Sequence, residues 1–268
     1  MSVHFVGDTH ALWARLASGM NSVQPVLLIP ALYCSPRLFE QQIPALWNFG
    51  PVQIANHAMG DSIAEIARQI LATAPPRFAL AGLSMGGYTA FEIMRQAPER
   101  VTRLALLDTS ARADTAAAAQ GRRDSIRLVV EQGFDSFLDQ AWKIAVAPGH
   151  LNDAALRARY RQIAWDVGPE RFMRQQHAIG QRPDSRPHLA AIRCPTLVLV
   201  GDEDVATPPH LAEEIAAGIA GSQLVKVAGA GHLTTIERPE AVTRALVDWL
   251  AAPSDDDGGN RSGTQRER

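Results

Sequence analysis

Cysteine is scarce in this chain of 268 residues, and the two that are present form no recognisable pattern. Cys34 and Cys194 lie far apart, with no C-x-x-C pair and no histidine cluster at the spacing of a metal site. This argues against a zinc-type site and against redox pairing. We expect two free thiols in a reducing compartment, and therefore a cytoplasmic protein without a bound metal.

An excess of charge of one sign is also absent, as is any long apolar run. The chain carries 26 basic and 28 acidic residues, a formal net charge of −2, which gives no reason to expect binding to nucleic acid or to a membrane surface. The apolar run at 26–29 is too short for a signal sequence or a membrane span. With 46% hydrophobic residues, the chain has the composition of a globular protein with a sizeable core.

Six short apolar segments are present instead, and they alternate with amphipathic helical patterns. The segments are 25–29, 51–55, 77–82, 103–108, 195–201 and 223–229, and they are apolar almost throughout, as strands buried on both faces should be. The helical patterns are 62–74, which opens with a capping box, 85–96, 209–220 and 237–251. This alternation predicts an α/β fold, a mostly parallel, twisted sheet with right-handed crossovers and helices on both faces.

One interval interrupts the alternation. Residues 111–187 contain helical stretches but no strand pattern, which predicts a helical insertion over the sheet edge, between two parts of the core at 1–110 and 188–252. Near the N-terminus, residues 11–20 have the pattern of a short helix. The tail at 253–268 is polar and glycine-rich, and we expect it to be disordered.

A serine flanked by glycines lies where the third apolar segment turns into a helical pattern. Residues 82–86 read Gly-Leu-Ser-Met-Gly and fit the G-x-S-x-G motif. In a nucleophile elbow, the serine has a strained backbone angle that exposes its hydroxyl. The residues two positions away must be small, because larger side chains would collide with the neighbouring backbone. By itself the motif is more typical of a serine that caps a buried helix, so a catalytic interpretation needs a base and an acid elsewhere.

A candidate acid and a candidate base both follow later strands. Asp204 comes after the segment at 195–201, and His232 comes after the last segment. Residues beyond the carboxyl ends of parallel strands meet at one edge of the sheet, where open α/β sheets have their sites. Asp202 lies in the same loop as Asp204, and Asp108, at the end of the fourth segment, is a rival for the acid.

Three motifs in this order resemble those of α/β-hydrolase-fold proteins, over roughly residues 23–251. They are the elbow GLSMGG at 82–87, the acid loop GDEDVATP at 201–208 and the histidine loop GAGHLTTIERP at 229–239. The resemblance implies that Ser84 is the nucleophile, that His232 is its general base and that Asp204 is the acid.

The resemblance also implies an oxyanion hole made of two backbone N–H groups. One belongs to Met85, the residue after the nucleophile, and the other to Leu32, in the loop after the first strand. Relatives commonly have His-Gly before the second donor, whereas this chain has Pro30 and Ala31. Only a backbone N–H is needed, but Ala31 is less free than glycine to adopt unusual backbone angles.

By the same resemblance, the helical insertion at 111–187 is a lid over the site. Candidate substrate-binding residues are then Tyr33, after the first strand, and Trp142 and Trp165, in the lid. The predicted lid contains 12 Lys or Arg and 9 Asp or Glu, an excess that favours a substrate bearing a carboxylate. His57, after the second segment, is a further histidine that could line the pocket.

The predicted function is hydrolysis of small carboxylic esters through an acyl-enzyme, with a small-molecule substrate and with neither metal nor cofactor. Two alternatives remain open. The same three residues could act on a lactone or on a carbon–carbon bond next to a ketone, or the protein could be a small-ligand receptor with little turnover. The sequence carries no signal of oligomeric state.

Overall fold

The computed structural model of the protein describes residues 23–253. The helix predicted at 11–20 lies outside the described residues, and so does the tail predicted at 253–268, apart from its first residue.

In the part of the chain that the structure describes, six parallel strands form one sheet, in the order β2-β1-β3-β4-β5-β6. Their bounds are β1 Val26–Ile29, β2 Val52–Ile54, β3 Phe78–Leu83, β4 Val101–Leu107, β5 Thr196–Gly201 and β6 Gln223–Val227. Each strand coincides with one predicted segment to within about two residues at either end. Because β2 lies on one side of β1 and all later strands lie on the other, the strand order reverses between β1 and β3. Open parallel sheets have their ligand crevice beside the carboxyl ends of strands at such a point.

The central and the edge strands differ in burial, and here the prediction is partly wrong. All residues of β1, β3 and β5 are buried, as their continuous apolar sequences predict. The residues of β2 and most of β6 are instead half-buried or exposed. Among residues 23–253, these two strands are the edges of the sheet and have a neighbour on one side only, which accounts for the greater exposure of their residues.

Helices pack on both faces of the sheet. Their bounds are α1 Ile43–Leu46, α2 Ile63–Thr73, α3 Met85–Gln96, α4 Ala116–Gln132, α5 Phe134–Ala145, α6 Ala154–Trp165, α7 Pro169–Gly180, α8 Pro209–Gly218, α9 Thr234–Glu237 and α10 Pro239–Ala251. One face is covered by α2, α3 and α8, through residues such as Ile66, Ile93 and Ile215. The other is covered by α10, through Val242 and Leu246. The four predicted helices correspond to α2, α3, α8 and α10.

The first turn of α2 shows the predicted cap in a slightly altered form. The Glu65 N–H donates to Ser62 Oγ at 3.1 Å, as a capping box requires. The Glu65 carboxylate, however, accepts from the N–H of Asp61, one residue before the cap. Both bonds satisfy amides at the start of the helix, which have no partner within it.

Between β4 and β5 the chain folds into the four helices α4 to α7, which fall within the predicted insertion. Aromatic rings join them to one another and to the loop after β1. The ring centroids of Phe137 and Phe172 are 4.3 Å apart, and that of Tyr33 lies 5.5 Å from Phe137. The insertion is therefore packed directly against the carboxyl edge of the sheet.

Candidate active site

The turn between β3 and α3 places Ser84 in a strained conformation, with φ +54° and ψ −110°. Such angles persist only where the surroundings fix them. Here the Ser84 N–H donates to the carbonyl of Leu107 at 2.9 Å, and Thr109 Oγ1 donates to the Ser84 carbonyl at 2.8 Å. The end of the neighbouring strand thus holds the serine in place on both sides.

The flanking glycines are required by close backbone contacts. A Cβ atom on Gly82 would lie 2.3 Å from the carbonyl oxygen of Gly86, and one on Gly86 would lie 2.0 Å from that of Ile29. Neither contact can be relieved by moving a flexible side chain, because each is with backbone. The small residues predicted for an elbow therefore let the start of α3 rest against the end of β1.

The structure brings Ser84, Asp204 and His232 together. His232 Nε2 lies 2.9 Å from Ser84 Oγ, and His232 Nδ1 lies 2.8 Å from Asp204 Oδ2. A neutral imidazole that donates from Nδ1 to the carboxylate accepts the serine proton at Nε2. Asp204 is 2% exposed and Ser84 is 8% exposed, so the carboxylate end of the path is shielded from water.

The Asp204 carboxylate is fixed by its own loop. Its Oδ1 accepts from the N–H groups of Ala206, at 2.8 Å, and Thr207, at 2.9 Å, and its Oδ2 accepts from Thr207 Oγ1 at 2.7 Å. Burial opposes its ionisation, but the charge of His232 and these hydrogen bonds outweigh burial and lower the pKa of Asp204. The sequence did not point to Thr207. Its Oγ1 also lies 3.2 Å from His232 Nδ1.

His232 lies beside that carboxylate, with 13% of its side chain exposed. Burial by itself would lower the pKa of the imidazole, but the negative charge and hydrogen bond of Asp204 raise it above its ordinary value of 6.5. The arrangement therefore stabilises the charged imidazole that forms whenever the ring takes a proton from Ser84.

Asp108, the rival acid, uses its carboxylate elsewhere. It is fully buried, its Oδ1 accepts from the N–H of Gly201 at 2.9 Å, and its Oδ2 accepts from Thr234 Oγ1. Burial and the nearby charge of Asp204 raise the pKa of Asp108 well above its ordinary value. Asp108 therefore ties the ends of β4 and β5 to the histidine loop, while Asp204 contacts the imidazole.

Glu237 is a second residue that the sequence reasoning missed. Its buried carboxylate accepts from the N–H groups of Gly231, at 3.0 Å, and Leu233, at 3.2 Å, which flank His232. It also accepts from the N–H of Ala147, after α5, at 2.7 Å. A buried carboxylate needs such partners. Because the glutamate lies within the histidine loop at 229–239, its contacts with that loop could have been inferred from the sequence. No sequence signal points to Ala147.

The two predicted oxyanion donors lie at the ends of adjacent strands, Leu32 after β1 and Met85 after β3. Within residues 23–253, neither N–H has a hydrogen-bond acceptor. The loop around Leu32 is held through its neighbours. His57 Nε2 lies 2.9 Å from the Ala31 carbonyl oxygen, and the Tyr33 N–H donates to Gln175 Oε1 at 2.8 Å.

A cavity of about 900 Å³ opens over Ser84 and His232 and is closed on its far side by α4, α5 and α7. Tyr33 lines this cavity, as predicted, but Trp142 and Trp165 do not. Trp142 is buried and donates its Nε1–H to the carbonyl of Leu151, so its ring packs the insertion internally. Trp165 is half-exposed on the outer side, where it donates to Asp135.

His57 does not line this cavity either. It is 3% exposed and borders a second cavity, of about 530 Å³, behind the loop that carries Leu32. The sequence suggested that His57 could line the pocket, and in the structure it lies outside it.

Between residues 23 and 253, no group of three His, Cys, Asp or Glu side chains is arranged to hold a metal ion. In the same part of the chain, none of the helices has the length and apolar character needed to cross a membrane.

Comparison with known proteins identifies the family of this chain. Residues 7–245 match the sequence profile of the alpha/beta hydrolase family. The chain belongs to this family. Its fold and its enzyme class, a hydrolase, are thereby confirmed as predicted.

Among solved structures of this family, a thermophilic esterase from Thermogutta terrifontis is 30% identical, with a TM-score of 0.75 over 85% of this chain and 89% of the esterase. An enol-lactonase from Burkholderia xenovorans LB400 has a TM-score of 0.76 over 87% of this chain and 94% of the lactonase, and at 24% identity it shows the shared fold alone. A proposed non-heme bromoperoxidase, BpoC, from Mycobacterium tuberculosis is 27% identical over 194 residues, which is 69% of this chain and 71% of the relative.

Proposed function

We propose that this hydrolase cleaves small, uncharged carboxylic esters through an acyl-enzyme on Ser84. The observation that carries the proposal is the continuous hydrogen-bond path from the Ser84 hydroxyl, through both ring nitrogens of His232, to the buried carboxylate of Asp204. Such a path lets the imidazole take the serine proton while a fixed carboxylate orients the ring and stabilises its charged form.

The reaction has two steps. Ser84 Oγ attacks the ester carbonyl as His232 Nε2 takes its proton, and His232 then protonates the departing alcohol. Water next gives a proton to the same nitrogen and attacks the acyl group; as the bond from the acyl carbon to Oγ breaks, His232 returns the proton to Oγ, which releases the acid and restores Ser84. Each step passes through a tetrahedral oxyanion, and we assign its two donors to the N–H groups of Leu32 and Met85.

The helical insertion acts in this proposal as a lid. Its helices α4, α5 and α7 supply the wall of the cavity that faces Ser84. Among the described residues, the two arginines that line the cavity are both ion-paired, Arg122 with Asp114 and Arg127 with Asp124. Their charges are thus already compensated, which supports an uncharged ester over the carboxylate-bearing substrate suggested by the composition of the insertion.

Labelling with a fluorophosphonate probe tests the nucleophile directly. The purified protein should be labelled once per chain at Ser84, and Ser84→Ala should not be labelled. Ser110→Ala is a matched control, because Ser110 is a buried serine after β4 that lies outside the proposed proton path. Absence of label on the folded wild-type protein would refute the assignment of Ser84.

A panel of nitrophenyl esters of increasing acyl length, with matched lactones and a charged hemisuccinate ester, then tests the substrate class. We expect turnover of the uncharged short esters and weak turnover of the hemisuccinate. A protein that is labelled but hydrolyses only lactones would move the assignment to the lactone alternative, and one that prefers the hemisuccinate would contradict the assignment of an uncharged substrate.

A further inference from the structure

The loop that carries Leu32 is fixed by a histidine that the proposed mechanism does not use. His57 follows β2 and lies 26 residues after Ala31 in the chain. Its Nε2 is 2.9 Å from the carbonyl oxygen of Ala31. That carbonyl and the Leu32 N–H belong to the same peptide unit. We propose that His57 is a positioning residue for the oxyanion hole: by donating from Nε2–H to the Ala31 carbonyl, it aims the Leu32 N–H at the reacting carbonyl over Ser84. This inference rests on the proposed function.

The planarity of the peptide bond makes this contact decisive. In a trans peptide the C=O and N–H bonds point in opposite directions across one plane, so an anchor on the oxygen sets the direction of the hydrogen. A hydrogen bond accepted by the carbonyl also polarises the amide and strengthens its N–H as a donor. His57 therefore acts on the oxyanion through the peptide that lies between them.

Within the loop, the Ala31 carbonyl also accepts from the N–H of Cys34 at 3.0 Å, so a local turn and His57 hold the same oxygen together. Relatives with glycine before the donor have a flexible residue there, whereas this chain has Ala31. Two positions later Tyr33 has φ +48°, a conformation that costs a non-glycine residue energy unless its surroundings impose it. Buried Gln175, on α7, accepts from the Tyr33 N–H at 2.8 Å. His57 and Gln175 thus hold the two peptides on either side of Leu32.

His57 is suited to a fixed structural hydrogen bond and not to proton transfer. Burial lowers the pKa of His57 to about 4, so the ring is neutral at neutral pH and carries one N–H. A carbonyl oxygen only accepts, so that hydrogen must be on Nε2. The ring borders the second cavity and not the one that contains Ser84, so it cannot touch a substrate there.

A matched pair of variants tests the inference. His57→Met keeps the approximate length and volume of the side chain but has no donor, whereas His57→Gln has an amide N–H that can reach the Ala31 carbonyl. With an uncharged nitrophenyl ester, we expect His57→Met to lower kcat by about 10- to 100-fold, less than full loss of an oxyanion donor, with KM within about twofold. His57→Gln should retain kcat to within about threefold of the wild type.

A thionoester of the same acid separates aiming of the donor from general damage to the site. Sulfur is a weak hydrogen-bond acceptor, so a thionoester gains little from the oxyanion hole. We expect the rates of His57→Met and the wild type to differ by less than about threefold on the thionoester. Equal losses on both substrates, or equal losses in His57→Met and His57→Gln, would show that His57 matters only for packing and would overturn the inference.

A crystal structure of His57→Met decides the structural part independently of activity. The Ala31–Leu32 peptide should be rotated or disordered in His57→Met and unchanged in His57→Gln. An unchanged peptide in His57→Met would overturn the inference whatever the kinetics. Failure of the proposed function has a different signature, since wild-type protein would then show neither labelling of Ser84 nor ester turnover.

Discussion

Two turns at the ends of adjacent strands form the centre of this site, and they are held in different ways. The elbow after β3 and the loop after β1 each contain a non-glycine residue with positive φ, Ser84 at +54° and Tyr33 at +48°. The elbow is stabilised mainly by backbone contacts with its own helix and with the ends of β1 and β4, and by one side-chain hydrogen bond, from Thr109. The loop has one backbone turn of its own, from the N–H of Cys34 to the Ala31 carbonyl, and is held further by side chains from distant segments, His57 after β2 and Gln175 in the insertion.

This difference decides which of the two turns can be recognised from its own sequence. An elbow built from five consecutive residues carries its constraints in its own sequence, as two obligatory glycines and a serine. A loop held by side chains 26 and 142 residues away has no such signature. The reaction centre therefore combines a nucleophile whose turn is recognisable in its local sequence with an oxyanion donor whose loop is held by side chains that no local pattern marks.

The largest effect should come from removing the hydroxyl of the elbow. Ser84→Ala should lower kcat by on the order of 10⁶, as in other serine triads, without loss of stability, because the backbone contacts of the turn do not involve Oγ. Ester hydrolysis and thermal unfolding measure the two effects. A residual rate within a hundredfold of the wild type would mean that the reaction does not pass through Ser84.

The second largest effect should be the difference in kcat between variants of the two carboxylates near His232. Asp204→Asn should lower kcat by about 10⁴, because the imidazole loses its orienting and charge-stabilising partner. Asp108→Asn keeps an acceptor for Gly201 and should lower kcat by less than about tenfold, because Asp108 contacts the imidazole only through Thr234 and the histidine loop. The reverse ranking would make Asp108 the acid.

The pH dependence of kcat/KM in the same variants tests the direction in which Asp204 shifts the pKa of His232. His232 must be neutral to take a proton, and Asp204 raises its pKa, so kcat/KM of the wild type should rise with pH with a midpoint above 6.5. Loss of the carboxylate charge removes that effect, so the midpoint in Asp204→Asn should move to lower pH. A midpoint that stays the same or moves upward would contradict the assigned pair.

A smaller effect, on folding, tests the close backbone packing of the elbow against β1. Gly86→Ala places a Cβ 2.0 Å from the carbonyl oxygen of Ile29, and we expect the free energy of unfolding to fall by about 3 kcal/mol. Gly121→Ala is the matched control, because a Cβ at this position in α4 meets nothing within 4 Å and should stabilise the helix by about 0.5–1 kcal/mol. Equal values for the two variants in urea unfolding would show that the elbow tolerates a side chain.

The smallest effect concerns the anchor of the loop. The pKa of His57 is about 4 in the folded protein against an ordinary 6.5, so the unfolded chain binds more protons as the pH falls through this window, and folding weakens. Between pH 7.5 and 5.0, His57→Gln should lose about 2 kcal/mol less stability than the wild type. Parallel loss in the two proteins would show that the imidazole is not a buried neutral group.

Much of the fold could be predicted because its signals are local. The strands are short apolar segments, and α2 has a capping serine, Ser62. Ser84, Asp204 and His232 each follow a strand, and this was enough to predict that they meet at one edge of the sheet. Burial of β2 and β6 was misjudged because apolar composition does not report which strand lies at an edge.

Other features depend on contacts that no local pattern encodes. Aromatic residues on a helix can face the cavity or the interior of the insertion, and the sequence does not distinguish the two, which is why Trp142 and Trp165 were assigned to the pocket. The bond from Ala147 to Glu237 and the contact of His57 with Ala31 join segments far apart in the chain. They emerge only once the insertion and the loops are packed.

The most direct test is a crystal structure of the protein with a phosphonate covalently bound at the site. A phosphonyl oxygen mimics the oxyanion, so it reports the elbow and the loop in one measurement. We predict phosphorus bonded to Ser84 Oγ, with one oxygen about 2.7–3.1 Å from the backbone nitrogens of both Leu32 and Met85. Phosphorus on another residue, or an oxygen that neither nitrogen contacts, would contradict the account.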